Sequence, residues 1–534
     1  MFDIIRTPDT VCVICENHNL DARVHTQIQN RELSVLLTAD QSYPEYIRLR
    51  WNHHCKDSIQ IMGDKWERAY ADMQWHGICE DDFMPWYFLA TDGHQTVGCG
   101  VMVRPNSFVS FQCDSRGVTA WLDVRCGTRG VQLHGRTLAV CTIVSETYQA
   151  ISPFAAAKAF CQVMSPSPRL PKEPVYGSNN WYYAYGNSSR EDILRDAELL
   201  ANLTQSNSNR PYMVIDDGWQ VNKCAGPWTP NSKHTDMAEI VQEFHKKNVK
   251  AGLWFRPLHD KAVETAHPQW RLVKSDLGGI ARPDWLQQED GKYLAYLDPS
   301  HPGVKDYLVH TIKTFRDWGF ELIKHDFSTF DMFDSFGYAL NGKIPVTKGW
   351  SFYDRSKTSA EIVLDFYRII RDAAGDMVII GCNTMTHLCA GLVEVCRIGD
   401  DTSGRTWNRT RSYGINALAF RLCQNRAFYM VDADCVGIFQ DFIPWKLNRQ
   451  WLDLLAKSGS PLFISAQPAA ITPDIAEDLY KALKVNSLQE DTAEPIDWLY
   501  HMVPECWRIN NRTKHYDFIM DSYPLLLDGR ISPF

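Results

Sequence analysis

Three short apolar runs in this chain break into acid: Met213-Val-Ile-Asp-Asp-Gly-Trp219, Leu322-Ile-Lys-His-Asp-Phe327 and Val395-Cys-Arg-Ile-Gly-Asp-Asp401. Apolar runs of this length read as buried strands, so each leaves its carboxylates at a strand's C-terminal end. In a (β/α)8 barrel those ends converge on one mouth, where catalytic groups collect. Two carboxyl groups facing each other there can cleave a glycosidic bond, one protonating the leaving oxygen while the other attacks the sugar or activates water.

Asp326 follows Leu322-Ile-Lys-His, and Lys324, two residues earlier on a strand, shares its face. An ammonium beside the carboxylate keeps it ionised, as a nucleophile requires; a structural ion pair has the same pattern. Asp401 closes Arg397-Ile-Gly-Asp-Asp401. The arginine lowers a carboxyl pKa while Asp400 and the nucleophile raise it, and an ordinary surface turn also fits Asp-Asp-Thr-Ser-Gly-Arg. Asp216 and Asp217, followed by Trp219, suit bidentate recognition of sugar hydroxyls, or a helix N-cap. Asn179, Asn180 and Trp181 end an earlier run and offer another wall. Trp254 and Arg256 lie in Trp254-Phe-Arg-Pro-Leu-His259, where the arginine meets a charged substrate group or neutralises the acid pocket.

Elements to position these groups are visible on either side. Residues 175–475 alternate strand-like and helix-like patterns, with eight strand candidates and one long excursion at 256–300. Ser188-x-x-Glu191 has the form of a capping box before a helix with Ile193, Ala197, Leu200 and Ala201 on one face. Before it, alternating runs such as Glu32-Leu-Ser-Val-Leu-Leu-Thr38, Val97–Val103, Val118–Val124 and Leu138–Val144, with Asp92-Gly93 between strands, predict a β-sandwich. A Pro-rich stretch at 164–174 links the two. The expectation is a multidomain α/β plus β chain: an N-terminal β-sandwich over 1–160, a (β/α)8 TIM barrel over 172–485, and a small C-terminal β domain over 486–534.

Composition narrows the partners. The 534 residues carry net charge −9 and 45% hydrophobic residues. There is no basic stripe for nucleic acid or anionic membrane, and no run approaches the roughly 18 apolar residues of a span. The N-terminus lacks an apolar signal region, so the expected location is cytoplasmic, with the 16 cysteines reduced and mostly buried. Neither Cys12-Val-Ile-Cys15 nor His53-His54-Cys55 finds the further ligands of a metal site. Cys382 lacks a partnering base and reads as a buried strand-end thiol. With 18 tryptophans, aromatic faces for sugars are plentiful, although core packing uses them too.

Taken in order, Ile215-Asp-Asp-Gly-Trp219, Gly252-Leu-Trp-Phe255, Ile323-Lys-His-Asp326 and Arg397-x-x-x-Asp401 resemble the α-galactosidase (melibiase) clan, closest to glycoside hydrolase family 36. Gly63-Asp-Lys-Trp-Glu-Arg68 resembles the family's amino-terminal domain. The resemblance implies a retaining glycosidase that removes a terminal α-linked galactose-type sugar from an oligosaccharide or glycoconjugate and needs no cofactor or metal. By the same resemblance Asp326 is the nucleophile, Asp401 the acid/base and Arg397 a sugar contact. Asp216 and Asp217 bind the 4- and 6-hydroxyls beside Lys324 and Trp181, and Asp434 closes the pocket. The chain departs from the family at Arg256, where Glu is usual, at His325, where Trp is usual, and at Gly381-Cys-Asn-Thr-Met-Thr386, which places Asn383 in the 2-hydroxyl region. Those departures leave the sugar open among galactose, N-acetylgalactosamine and L-arabinopyranose. A transglycosylase of the raffinose-synthase type, a non-catalytic carbohydrate-binding protein and a metal-dependent barrel enzyme are the competing readings. Self-association is left open.

Overall fold

The computed structural model describes residues 2–54, 58–70, 73–272, 296–334, 349–490 and 493–519. Its first part packs two antiparallel sheets face to face. One has five strands, ordered Thr10–Cys15, Pro44–Asn52, Gly117–Asp123, Phe108–Asp114, Met84–Pro85. The other has six, ordered Arg23–Gln29, Glu32–Thr38, Thr137–Gln149, Gln95–Val101, Tyr87–Thr91, Gln60–Gly63. In Glu32–Thr38 the alternation is realised, with Leu33, Val35 and Leu37 buried. Asp92-Gly93 makes the expected hairpin, with Gly93 at φ +85°.

The second part is a parallel sheet of nine strands, numbered here β1 (Tyr176–Asn179), β2 (Tyr212–Ile215), β3 (Lys250–Phe255), β4 (Leu322–His325), β5 (Val378–Gly381), β6 (Val395–Arg397), β7 (Met430–Asp432), β8 (Cys435–Ile438) and β9 (Leu462–Ala466). The spatial order is β7-β6-β5-β4-β3-β2-β1-β9-β8. The two edge strands, β7 and β8, are separated in the chain only by Ala433 and Asp434, so the sheet is curled. The sequence marks a strand at Phe428–Val431 only, and β8 is an additional strand. Asp434 takes a left-handed φ of 72°, so β7 pairs with β6 and the segment after the turn pairs with β9.

The helix after β1 runs Arg190–Thr204 and buries Ile193, Ala197 and Leu200, each worth about 1.5–3 kcal/mol for Ile or Leu and less for Ala. Its capping box is Ser189 with Asp192, one residue later than expected. Ser188 is diverted: its hydroxyl accepts from Asn180 Nδ2 at 3.0 Å. Residues 273–295 of the long excursion, and the end of the C-terminal segment from 520, lie outside the described residues. The described C-terminal part forms a three-stranded antiparallel sheet, Ala493–Pro495, Cys506–Ile509 and Arg512–His515.

Residues 64–70 join the two large parts. Arg421 Nη2 reaches Asp64 Oδ1 at 2.8 Å, and Thr386 N donates to Trp66 O at 3.1 Å. Ala69 N donates to Ile398 O at 2.7 Å while Asp400 N donates back to Ala69 O at 3.2 Å. This short segment therefore extends the parallel pairing past the end of β6. Gly399, which pairs with Ala69, is closely packed against another segment, where a Cβ would lie 1.9 Å from Tyr413 O.

Candidate active site

The side chains beyond the C-terminal ends of β1–β6 form one charged cluster. Asp216, just past β2, accepts from Lys324 Nζ at 2.7 Å and Asn179 Nδ2 at 2.6 Å. Asp217 accepts from Gln220 Nε2 at 2.6 Å and from Cys224 N at 2.9 Å, and burial pushes its carboxyl pKa up. Lys324 was expected to pair with Asp326 on its own strand, but its long stem carries the ammonium to Asp216. Burial works against that charge, yet Asp216 foremost, with Asp326 also contributing, holds the Lys324 pKa well above its ordinary value.

Asp326 follows β4 and is half-buried. Its Oδ2 accepts from Trp254 Nε1 at 3.2 Å and its Oδ1 from Phe327 N at 2.8 Å. Both bonds fix the orientation of the carboxylate. Phe327, at φ +61°, turns the chain abruptly away.

Asp401 stands beyond β6 with its side chain 37% exposed, and Arg397 Nη2 contacts it at 2.9 Å. Arg68 Nη1 comes from the sandwich to 3.6 Å, and Arg409 Nε donates to the Asp401 carbonyl at 3.1 Å. Burial would raise this carboxyl's pKa, but Arg397, Arg68 and Arg409 outweigh it and hold it at about 2. The opposing pulls noted in the sequence are thus resolved in favour of the arginines. Burial raises the neighbouring Asp400 instead. Cys382 lies between Arg68 and Arg397, at 4.0 and 3.7 Å, and burial keeps it a thiol.

Trp181 opens a short helix at the rim, half-buried and edge-on to Tyr185 at 5.1 Å. Asp434 stands behind Arg397: its Oδ2 takes Arg397 Nη2 at 2.7 Å, Thr402 N at 2.7 Å and the Tyr182 hydroxyl. With these donors in place it positions the arginine.

Three expected site residues stand apart. Trp219 is fully buried, packed edge-on against Phe315 and Trp318, with Nε1 donating to Trp254 O at 2.9 Å. The chain turns at Gly218, which sends the indole behind the sheet. Arg256 is also buried, paired with Asp331 at 2.6 Å and stacked on Phe327 at 4.4 Å. Its charge is already matched by protein. Asn383 turns to the sandwich, donating to Glu67 Oε2 at 2.9 Å.

Arg68, Glu67 and Tyr70 were not among the expected site residues. Arg68 Nη2 also donates to Tyr70 Oη at 3.2 Å, and Tyr70 Oη donates to Glu67 Oε1 at 2.6 Å. Their only trace in sequence was the Gly63–Arg68 motif, since pairing between distant segments leaves no local pattern. Arg409 and Tyr182 were missed as well; nothing in their spacing distinguishes them. No group of three His, Cys, Asp or Glu is placed to hold a metal among the described residues.

The fold and site together define a curled parallel α/β sheet carrying a carboxylate and arginine cluster, capped by a β-sandwich. The fold is shared with solved glycoside hydrolase family 36 α-galactosidases. The chain is similar to TtGalA, an α-galactosidase from Thermus thermophilus solved with p-nitrophenyl α-D-galactopyranoside, with TM-score 0.63 and 15% identity over 95% of this chain and 97% of that one. It is similar to a variant of the α-galactosidase AgaA from Geobacillus stearothermophilus bound to 1-deoxygalactonojirimycin, with TM-score 0.57 and 11% identity over 94% and 76%. The galactosidase domain of the α-galactosidase-sucrose kinase AgaSK aligns with TM-score 0.56 and 12% identity over 94% and 75%. No protein-family model and no curated protein sequence matches the chain.

Proposed function

We propose that the protein is a retaining glycoside hydrolase acting on a terminal α-linked galactose-type sugar. The observation that carries this reading is the arrangement around Lys324. Its ammonium meets Asp216 at 2.7 Å, Asp326 helps to raise its pKa, and it in turn lowers that of Asp401, so groups from β2, β4 and β6 belong to one cluster. Asp326 is the nucleophile: its carboxylate attacks the anomeric carbon as the bond to the leaving oxygen breaks, and Asp401 gives that oxygen its proton. In the second step Asp401 takes a proton from water, the water attacks the anomeric carbon, and Asp326 leaves. Asp216, Asp217 and Lys324 bind the sugar hydroxyls, Trp181 and Trp254 wall the ring, and Arg397 divides its contacts between Asp401 and the sugar.

The free protein holds Asp401 in the ionised state that the second step uses. The first step needs its proton, so the sugar must loosen the arginines' hold. Arg397 turning toward a sugar hydroxyl is the direct way, because it is the nearest of the three.

We also read the chain as three units, 1–160, 172–485 as an eight-stranded (β/α)8 barrel with β7 and β8 counted as one strand, and 486–534. The described cysteines are all free, which supports a reducing, cytoplasmic setting. No described helix is long and apolar enough to cross a membrane.

The test is release of 4-nitrophenol from its α-D-galactoside by wild type and by Asp326→Ala, the latter with and without azide. Loss in the variant and recovery as a β-galactosyl azide identify Asp326 as the nucleophile of a retaining enzyme. An active Asp326→Ala, or an α-configured azide product, refutes that assignment. If wild type ignores the substrate, the same experiment runs on α-N-acetylgalactosaminide and β-L-arabinopyranoside, and inactivity on all three refutes the hydrolase.

A further inference from the structure

The turn that carries Asp401 also carries an arginine without a carboxylate partner among the described residues. Arg405 lies four positions further on, in the loop Asp401-Thr-Ser-Gly-Arg405. Its guanidinium lies 4.9 Å from each of three ring centroids, Tyr185, Phe439 and Phe442. Nη2 donates to Tyr182 O at 3.3 Å, and Nε is buried with no hydrogen-bond partner. The other arginines around this turn are paired: Arg397 with Asp401 and Asp434, Arg68 with Asp400 and Asp401, Arg409 with Asp400. Arg405 alone of these four has no carboxylate within ion-pair distance among the described residues.

Its position is built rather than accidental. Gly404, at φ +76°, lies so close to Gly437 that a Cβ would meet Gly437 Cα at 2.4 Å. Thr402 anchors the same loop, its hydroxyl donating to Cys435 O at 2.7 Å. The rings come from loops after β1 and β8, and Tyr185 is 39% exposed, so the cage opens at the rim. Aromatic faces hold a guanidinium by its planes and leave its edge for an acceptor, the geometry that suits carboxylate, sulfate or phosphate.

We infer that Arg405 forms a subsite for an anionic group on the leaving portion of the substrate. The inference rests on the glycosidase reading above, in which Asp401 protonates the leaving oxygen and the loop behind it therefore borders the aglycone. A carboxylate, sulfate or phosphate there accepts from the Arg405 edge. It also dilutes the positive field around Asp401 when that group must hold its proton.

A matched pair of chromogenic substrates tests this: the α-D-galactosides of 3-carboxy-4-nitrophenol and of its methyl ester, which share shape and differ in charge. Wild type is expected to favour the acid over the ester in kcat/KM by about 10- to 100-fold, the value of a charge-assisted hydrogen bond, and to lose the preference as salt is raised. Arg405→Gln brings the ratio near one, and Arg405→Lys keeps part of it. Equal rates for acid and ester in wild type, or a preference that survives Arg405→Gln, overturn the subsite. If Arg405→Gln fails to fold, the wild-type ratio and its salt dependence decide alone. If neither substrate turns over, the galactoside reading fails separately. Calorimetric binding of the same pair then decides the subsite, equal affinities overturning it.

Discussion

Arg68 reaches to 3.6 Å from Asp401 although one belongs to the sandwich segment and the other to the curled parallel sheet. The contact adds a positive charge beside a carboxyl that must release and recover a proton. Arg68→Met removes that charge, so the Asp401 pKa rises from about 2. The protonated acid then persists to higher pH, and the alkaline limb of kcat/KM for alkyl galactosides moves upward. pH profiles of the two proteins check the direction; a downward shift contradicts it.

A proton donor matters most for a poor leaving group. Asp401→Asn is expected to cost about 10²- to 10⁴-fold on an alkyl galactoside and much less in the glycosylation of a nitrophenyl one. Pre-steady-state release of nitrophenol, set against steady-state hydrolysis of melibiose, separates the two. Equal losses argue against Asp401 as the acid.

Lys324 and Asp216 form a buried ion pair, with side chains 11% and 4% exposed. Lys324→Met leaves the buried Asp216 without its counter-charge, a loss of about 3–5 kcal/mol in stability. The double variant Lys324→Met/Asp216→Asn should recover much of it. Urea unfolding of the four proteins closes the cycle, and additive losses refute the pairing.

Glu264, away from the cluster, has Oε1 2.8 Å from His259 Nδ1 and accepts from Asp260 N at 3.1 Å, and burial pushes its pKa from 4.5 to about 8. Between those values the folded chain keeps a proton that the unfolded chain has lost. Stability therefore falls as pH rises through that window. Glu264→Gln keeps the Oε1 acceptor and removes the titration, so its melting temperature should decline less between pH 5 and 8 than wild type's. Parallel slopes count against a neutral Glu264.

Sequence was most informative where chemistry and period coincide. The strand-end carboxylates Asp216, Asp326 and Asp401 fall together because an apolar run places them at one end of the sheet. The alternation of Leu33, Val35 and Leu37 likewise marks a sandwich strand. What escaped notice depended on distant pairing. Trp219 and Arg256 lie next to motif residues, yet Gly218 turns one away and Asp331 captures the other. Arg68 and Glu67 enter the cluster through backbone pairing of residues 64–70 with the end of β6. Strand β8 escaped too, because Asp432-Ala-Asp434 reads as the end of the strand before it.

That pairing also imposes an order on maturation. Residues 64–70 leave the ribosome early and must wait for Ile398 and Asp400 before their amides and carbonyls are answered. Contacts so far apart along the chain form late in folding. Turnover should consequently lag behind helix content when the denatured protein is diluted from urea, and a half-made chain remains catalytically silent.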